Sequence, residues 1–230
     1  MGVAALALFV PALYLTLLLP DATFTWLIRE EHPIELLGAL SLLAGAVACV
    51  LLWRRTRDDA AWPPLRRLSL LALAFLFFFG FGEEISWGQR ILGIGTPESL
   101  SEANRQQELN LHNVGAFGGV NTLFQLFWLV VGVIIPLLAL WRPARVRLER
   151  LVPILPVVLA PLFVLNQALT RGFAELLADR PDLYNSTSFP PSHGIVEIKE
   201  SIASLLLGIG FWLVLRAQSR TTAGRATEAG

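Results

Sequence analysis

The sequence predicts an all-α fold, a polytopic membrane helix bundle of six transmembrane helices, on three observations. The chain is 54% hydrophobic and only 16% charged, where soluble domains carry about 25% charged residues, and its mean hydropathy is +0.59. Its apolar residues gather in six runs near the ~20 residues that cross a ~30 Å hydrocarbon core. Its basic residues fall in alternate connections between those runs, as the orientation rule for membrane helices requires.

The first run covers 3–20. It has no Lys or Arg ahead of it and exceeds the apolar core of a cleaved secretion signal, so it is expected to stay as a span. The second covers 34–53, opens beside Glu31, His32 and Glu35, and ends on Arg54, Arg55 and Arg57. Arg66 and Arg67 precede the third, 68–87. Between the third and fourth, Thr96 as N-cap and Pro97 at the first helical position start an amphipathic helix that glycines 115, 118 and 119 end. It is expected to lie on the outer surface. The fourth run, 120–141, is followed by Arg142, Arg145, Arg147 and Arg150. The fifth, 151–169, carries Pro153, Pro156 and Pro161 and is expected to be kinked. The sixth, 195–216, follows Pro190-Pro191 and leads to Arg216, Arg220 and Arg225. Residues 219–230 are polar and rich in small residues, which predicts a disordered tail beyond a transmembrane domain of 1–218.

The alternate connections hold 12 of the 18 basic residues, which places both termini in the cytoplasm. Trp26 and Trp87 then fall at outer edges, and Trp53, Trp62, Trp141 and Trp212 near inner ones. The single cysteine, Cys49, excludes an internal disulfide and a thiolate metal cluster. Arginine outnumbers lysine 17 to one, but in short loops between apolar runs, which excludes a nucleic-acid footprint. The partner is the lipid bilayer, and the expected location is the bacterial inner (plasma) membrane.

On this topology the outer side holds 14 of the 18 acids and all three histidines. Glu83 and Glu84 close the third span about 24 Å from Arg67, at the edge of the hydrocarbon. If that helix continues, Glu83, Ser86 or Trp87, and Arg90 share a face. On the surface helix Asn104, Glu108 and His112 share another, and a carboxylate hydrogen-bonded to an imidazole fixes its tautomer for metal binding. His193, Glu197, Glu200 and Ser204 line one face at the start of the sixth span, with Lys199 beside them. Each cluster also has a purely structural reading, as an ion pair or capping group at a helix end. Intramembrane acids are nevertheless functional candidates by default.

The pair 82–90 (GEEISWGQR) and 108–113 (ELNLHN) resembles a signature of uncharacterised bacterial multi-pass membrane proteins. The resemblance covers about a sixth of the chain and brings no activity with it. A fainter likeness is to the CPBP intramembrane protease family, with its EExxxR and FxxxH motifs. Here Arg90 stands two positions late, and Phe189-Pro190-Pro191-Ser192-His193 has prolines where that motif needs helix. Ceramidase-like membrane hydrolases share a His-rich site, but their HxxxH pair is missing here.

Three functions compete. In the first, a hydrolase or transferase acts on a lipid or lipid-linked substrate at the extracytoplasmic leaflet. His112, His193, His32 and Glu108 would hold a divalent metal such as zinc, and Glu83, Glu84, Glu197, Glu200 and Arg90 would be the catalytic set. Metal-free acid–base chemistry by the glutamates is a variant. The second is a proton- or ion-coupled transporter, which needs a polar path toward the cytoplasm. The third is a scaffold or accessory subunit.

Overall fold

The computed structural model describes residues 2–29, 32–98, 109–110 and 120–228. Every regular element among them is helical. In chain order these are α1 (Val3–Leu15), α2 (Asp21–Ile28), α3 (Pro33–Thr56), α4 (Pro64–Glu84), α5 (Gln89–Leu92), α6 (Val120–Leu129), α7 (Ile135–Leu138), α8 (Arg142–Leu148), α9 (Ala160–Asp179) and α10 (Pro191–Glu228). A π turn over Val130–Ile134 joins α6 to α7, and it lets the rod absorb Pro136, whose ring would clash with the carbonyl four residues back. The expected surface helix falls mostly outside the described residues, as do Asn104, Glu108 and His112.

Among the described residues, four stretches are long and apolar enough to cross a membrane: Asp21–Thr56, Pro64–Glu84, Val157–Asp179 and Pro191–Arg220. Val3–Leu18 and Thr122–Leu138 are apolar but shorter, so two of the six expected spans fall short of the full length. Leu8, Leu40, Leu68, Phe75, Leu123 and Leu140 are exposed, which suits a bilayer and would be costly in water.

Proline marks where helices begin. Pro33, Pro64, Pro161 and Pro191 all sit in a first turn, where the missing N–H costs no hydrogen bond. This corrects the expectation of a kinked fifth span. Pro153 and Pro156 lie ahead of the helix, which starts at Val157 with a single tight turn and runs to Asp179, ten residues past the apolar run. Asn166 and Gln167 are therefore mid-helix. At the other end of the chain the backbone of α10 stays helical through Glu228, across most of the stretch composition predicts to be disordered. Extending a formed helix costs little compared with nucleating one.

α10 is the central helix. Ile198, Ile202, Ala203, Leu206, Leu207 and Phe211 are all fully buried. It packs parallel to α3, since Ser201 Oγ donates to the Ile34 carbonyl at 2.6 Å, Gly208 abuts Ser41, and Arg55 Nη1 donates to Ser219 Oγ. α4 runs antiparallel to α3, with Phe77 against Gly45 and Leu42 against Gly80. α9 runs antiparallel to α10, with Asn166 Nδ2 donating to the Lys199 carbonyl at 2.9 Å and Leu155 against Gly210. Tyr14 ties α1 to α9 by hydrogen bonds to Asn166 Oδ1 (2.8 Å) and Thr170 Oγ1 (2.7 Å).

These contacts divide the bundle into two ends. At one, Trp62 Nε1 donates to Gln218 at 3.3 Å, Gln218 donates to Asp59 at 3.0 Å, and Asp59 and Glu149 lie within electrostatic reach of Arg66. That end gathers the arginines of three connections. Trp62 is not an interfacial anchor there, because it is buried with the Arg66 guanidinium 3.6 Å over its ring. The opposite end holds the starts of α3 and α10 and the finish of α4.

A Cβ on Gly208 would lie 2.6 Å from the Ser41 carbonyl oxygen, whereas one on Gly172 would meet nothing within 4 Å. Gly208→Ala should therefore cost about 1–3 kcal/mol, and Gly172→Ala should gain about 0.5–1 kcal/mol. Apparent melting temperatures of the two purified variants, falling and rising respectively, check the pair.

Candidate functional site

Three helices deliver carboxylates to the end away from the arginines. Glu35 lies in the first turn of α3, Glu83 and Glu84 finish α4, and Glu197 and Glu200 lie in the second and third turns of α10. Glu84 is within electrostatic reach of Glu197, Glu200, Glu35 and Glu83. Glu35 and Glu83 are buried. Lys199, also buried, places its Nζ 3.5 Å from Glu200 Oε1. Ser201 and Ser204 are buried on the same stretch of α10. Lys199 contributes one ammonium beside the cluster, and the carboxylates lie close enough together to interact electrostatically.

The helix stops at Glu84, so the condition under which Glu83 and Arg90 would share a helical face is not met. Ser86 (φ 45°), Trp87 (φ 54°) and Gly88 (φ 74°) are successive left-handed residues. Such a conformation is strained for serine and more so for tryptophan. Two contacts hold it. The Trp87 indole lies over Gly82, where any Cβ would stand 2.7 Å from the ring. Trp87 Nε1 also donates to Glu83 Oε1 at 2.8 Å. The backbone resumes as the single turn of α5, and the Arg90 side chain lies outside the described part.

The same turn docks the other half of the sequence signature. Asn110 Nδ2 donates to Ser86 Oγ at 3.1 Å, the Leu109 N–H donates to Gln89 Oε1 at 2.8 Å, and Gln89 Nε2 donates to Thr96 Oγ1 at 2.5 Å. Asn110 is buried. Leu109 and Asn110 are thus docked on the 86–89 turn, which follows Glu83 and Glu84 in the chain.

The histidines are distributed less tightly. His193 stacks on Phe189 with ring centroids 5.0 Å apart, and its Nδ1 stands 3.9 Å from Glu197 Oε1. His32 packs edge-on against Trp26, 5.4 Å between centroids. Among the described residues no three His, Cys, Asp or Glu side chains are grouped closely enough to ligate one ion. The expected ligands His112 and Glu108 lie outside those residues.

Below the cluster the core of the bundle is aromatic. Phe77 meets Phe211 at 5.3 Å and Phe127 at 6.0 Å, both edge to face. This layer lies two helical turns, about 10 Å, from Glu84.

Comparison with protein-family models, curated proteins and solved structures finds no match to this chain. The chain stands on its own geometry. Sequence reasoning placed Glu83, Glu84, Glu197 and Glu200 among the candidates. It gave Glu35 only a supporting place and passed over Tyr14, whose hydroxyl links three helices through Asn166. A lone Tyr in an apolar run carries no periodic signal, and only the folded neighbourhood of Asn166 shows its use.

Replacing the indole while keeping an aromatic ring should expose the role of the turn. Trp87→Phe deletes the N–H to Glu83 and should cost about 1 kcal/mol, discounted because the indole is partly exposed. Gly82→Ala, which displaces the ring, should lower the melting temperature as well, while exposed Trp26→Phe should leave it unchanged.

Proposed function

We propose that this chain is a six-span membrane protein with both termini cytoplasmic, resident in a bacterial inner membrane. Its carboxylate cluster is a general acid–base site acting on a lipid or lipid-linked substrate at the extracytoplasmic leaflet, which makes the chain a hydrolase or transferase. The observation that carries this reading is the gathering of Glu35, Glu83, Glu84, Glu197 and Glu200 from three helices at the arginine-poor end, above an aromatic layer. The segregation of arginine to the other end supports the orientation.

The chemistry needs one carboxylate and one carboxylic acid. The carboxylate takes a proton from water or an acceptor hydroxyl as its oxygen bonds to the acyl carbon or phosphorus of the substrate. The carboxylic acid gives its proton to the departing oxygen as the old bond breaks. Glu84 and Glu200 are the residues assigned to this pair, and Lys199 supplies positive charge for the developing oxyanion. His193 orients Glu197, and the catalytic set also takes in Glu83 and Arg90. His112, His32 and Glu108 remain the metal ligands of a metal-assisted variant, with Glu108 and His112 flanking the docked pair Leu109–Asn110 in sequence. The aromatic layer supports chemistry at one face over transport, because proton or ion passage needs polar groups beyond it.

The test is lipid turnover in vesicles made from a bacterial total lipid extract, followed by mass spectrometry. Wild type should generate headgroup or acyl products, and Glu84→Gln and Glu200→Gln should each slow them about 100-fold or more. Equal turnover in all three proteins would remove the glutamates from the reaction. A proton flux in wild-type vesicles, lost in Glu200→Gln, with no lipid product would instead establish the transporter.

A further inference from the structure

A second feature lies on the other face of α9, away from the carboxylates, and does not depend on their function. A cavity of about 380 Å³ opens between α9 and the α6–α7 rod, lined by Trp128, Val133, Phe163 and Ala168 with Gln125, Gln167 and Arg171 toward one side. Its volume falls in the range of about 300–1,000 Å³ typical of ligand sites. Gly132 keeps the two helices close, since a Cβ there would stand 2.5 Å from the Phe163 ring, which stacks on Trp128.

Three properties specify the occupant. Trp128 is 1% exposed, and its indole N–H is buried with no acceptor; a buried donor left unpaired costs about 1–3 kcal/mol. Neither nearby glutamine accepts from it; Gln125 Nε2 instead donates to Gln167 Oε1 at 3.1 Å. Arg171 is the one charged residue on the lining. It makes no ion pair or hydrogen bond among the described residues, and exposed Glu175 one turn on does not engage it. Finally, Val164 on the lining is an exposed hydrophobic, as are Leu126 and Val130 on the α6–α7 rod, so in a bilayer hydrocarbon lies against both helices that form the cavity.

We propose that this cavity is a binding site for an anionic phospholipid drawn from the surrounding leaflet. The acyl portion fills the Trp128–Phe163 pocket, an ester carbonyl accepts the Trp128 N–H once the indole turns it into the cavity, and the phosphate pairs with Arg171. An apolar body, a single buried acceptor and a negative head match the three properties in order.

Native mass spectrometry of the full-length protein in detergent tests this, with dioleoyl phosphatidylglycerol and dioleoyl phosphatidylcholine as probes. Wild type should retain phosphatidylglycerol preferentially, and excess inorganic phosphate should not displace it. Arg171→Gln, at an exposed position that folding does not depend on, should cut that preference about fivefold. Trp128→Phe, which keeps the ring and removes the N–H, should weaken retention of both lipids by a similar factor. Ala168→Phe should block both. Unchanged retention in Arg171→Gln and Trp128→Phe, or displacement by inorganic phosphate, would overturn the proposal.

Discussion

The close parallel contact of α3 with α10 sets where the rest of the bundle can sit. It is made by small residues: Gly38 against Ser201, and Ser41 and Gly45 against Gly208. Gly38 and Gly45 are seven residues apart, as are Ser201 and Gly208, so the contact recurs every two turns along one seam. Between membrane helices there is no hydrophobic driving force, and such backbone proximity supplies dispersion contacts and short polar bonds instead. The bond from Ser201 to the Ile34 carbonyl is one of these. Because the helices are parallel and Ser201 packs at the level of Ile34 and Gly38, the first turn of α3 lies level with the turns of α10 that carry Glu197 and Glu200. An antiparallel pair would have sent these acids to opposite ends.

The carboxylate cluster is thus a consequence of packing that is satisfied lower down, in apolar layers that favour one register. α4 completes it by ending where α3 begins. The left-handed turn at Ser86–Trp87–Gly88 ends the helix just after Glu83 and Glu84, at a cost in backbone strain. Trp87 offsets part of that strain by covering Gly82 and bonding Glu83. The polar end is therefore held from two sides, by the helix seam beneath and by the docked Leu109–Asn110 pair above. Phe77 and Phe211 form the floor.

Much of this was legible in the sequence, and the boundary of legibility is physical. Hydropathy marks segments whose solvation demands helix, so the four longest spans and the segregation of arginine could be read directly. The acids of α10 could be read because a spacing of three and four residues defines a helical face without any partner. The proline positions were read with the wrong sign in 151–169, because the same ring that kinks a helix interior is harmless in a first turn, and hydropathy does not mark the start. The extension of α9 to Asp179 was hidden for the same reason, since its last turns are polar. The turn at Ser86–Trp87 could not be read, because no propensity favours left-handed tryptophan; only the contacts with Gly82 and Glu83 explain it. Glu35 looked commonplace until the α3–α10 register placed it among the other acids, and Trp128 looked like one more apolar residue until its N–H was found without an acceptor.

Disulfide cross-linking across the α3–α10 seam tests the central claim most directly. A Cβ built on Gly38 lies 3.5 Å from the Ser201 Cβ, within the range of about 3.5–4.5 Å that a disulfide spans. In a Cys49→Ala background, Gly38→Cys with Ser201→Cys should oxidise readily within one chain, while Gly38→Cys with Gly208→Cys, two turns out of register, should not. Efficient cross-linking of the second pair and none of the first would mean that the helices do not pack in this register, and that the five carboxylates do not meet.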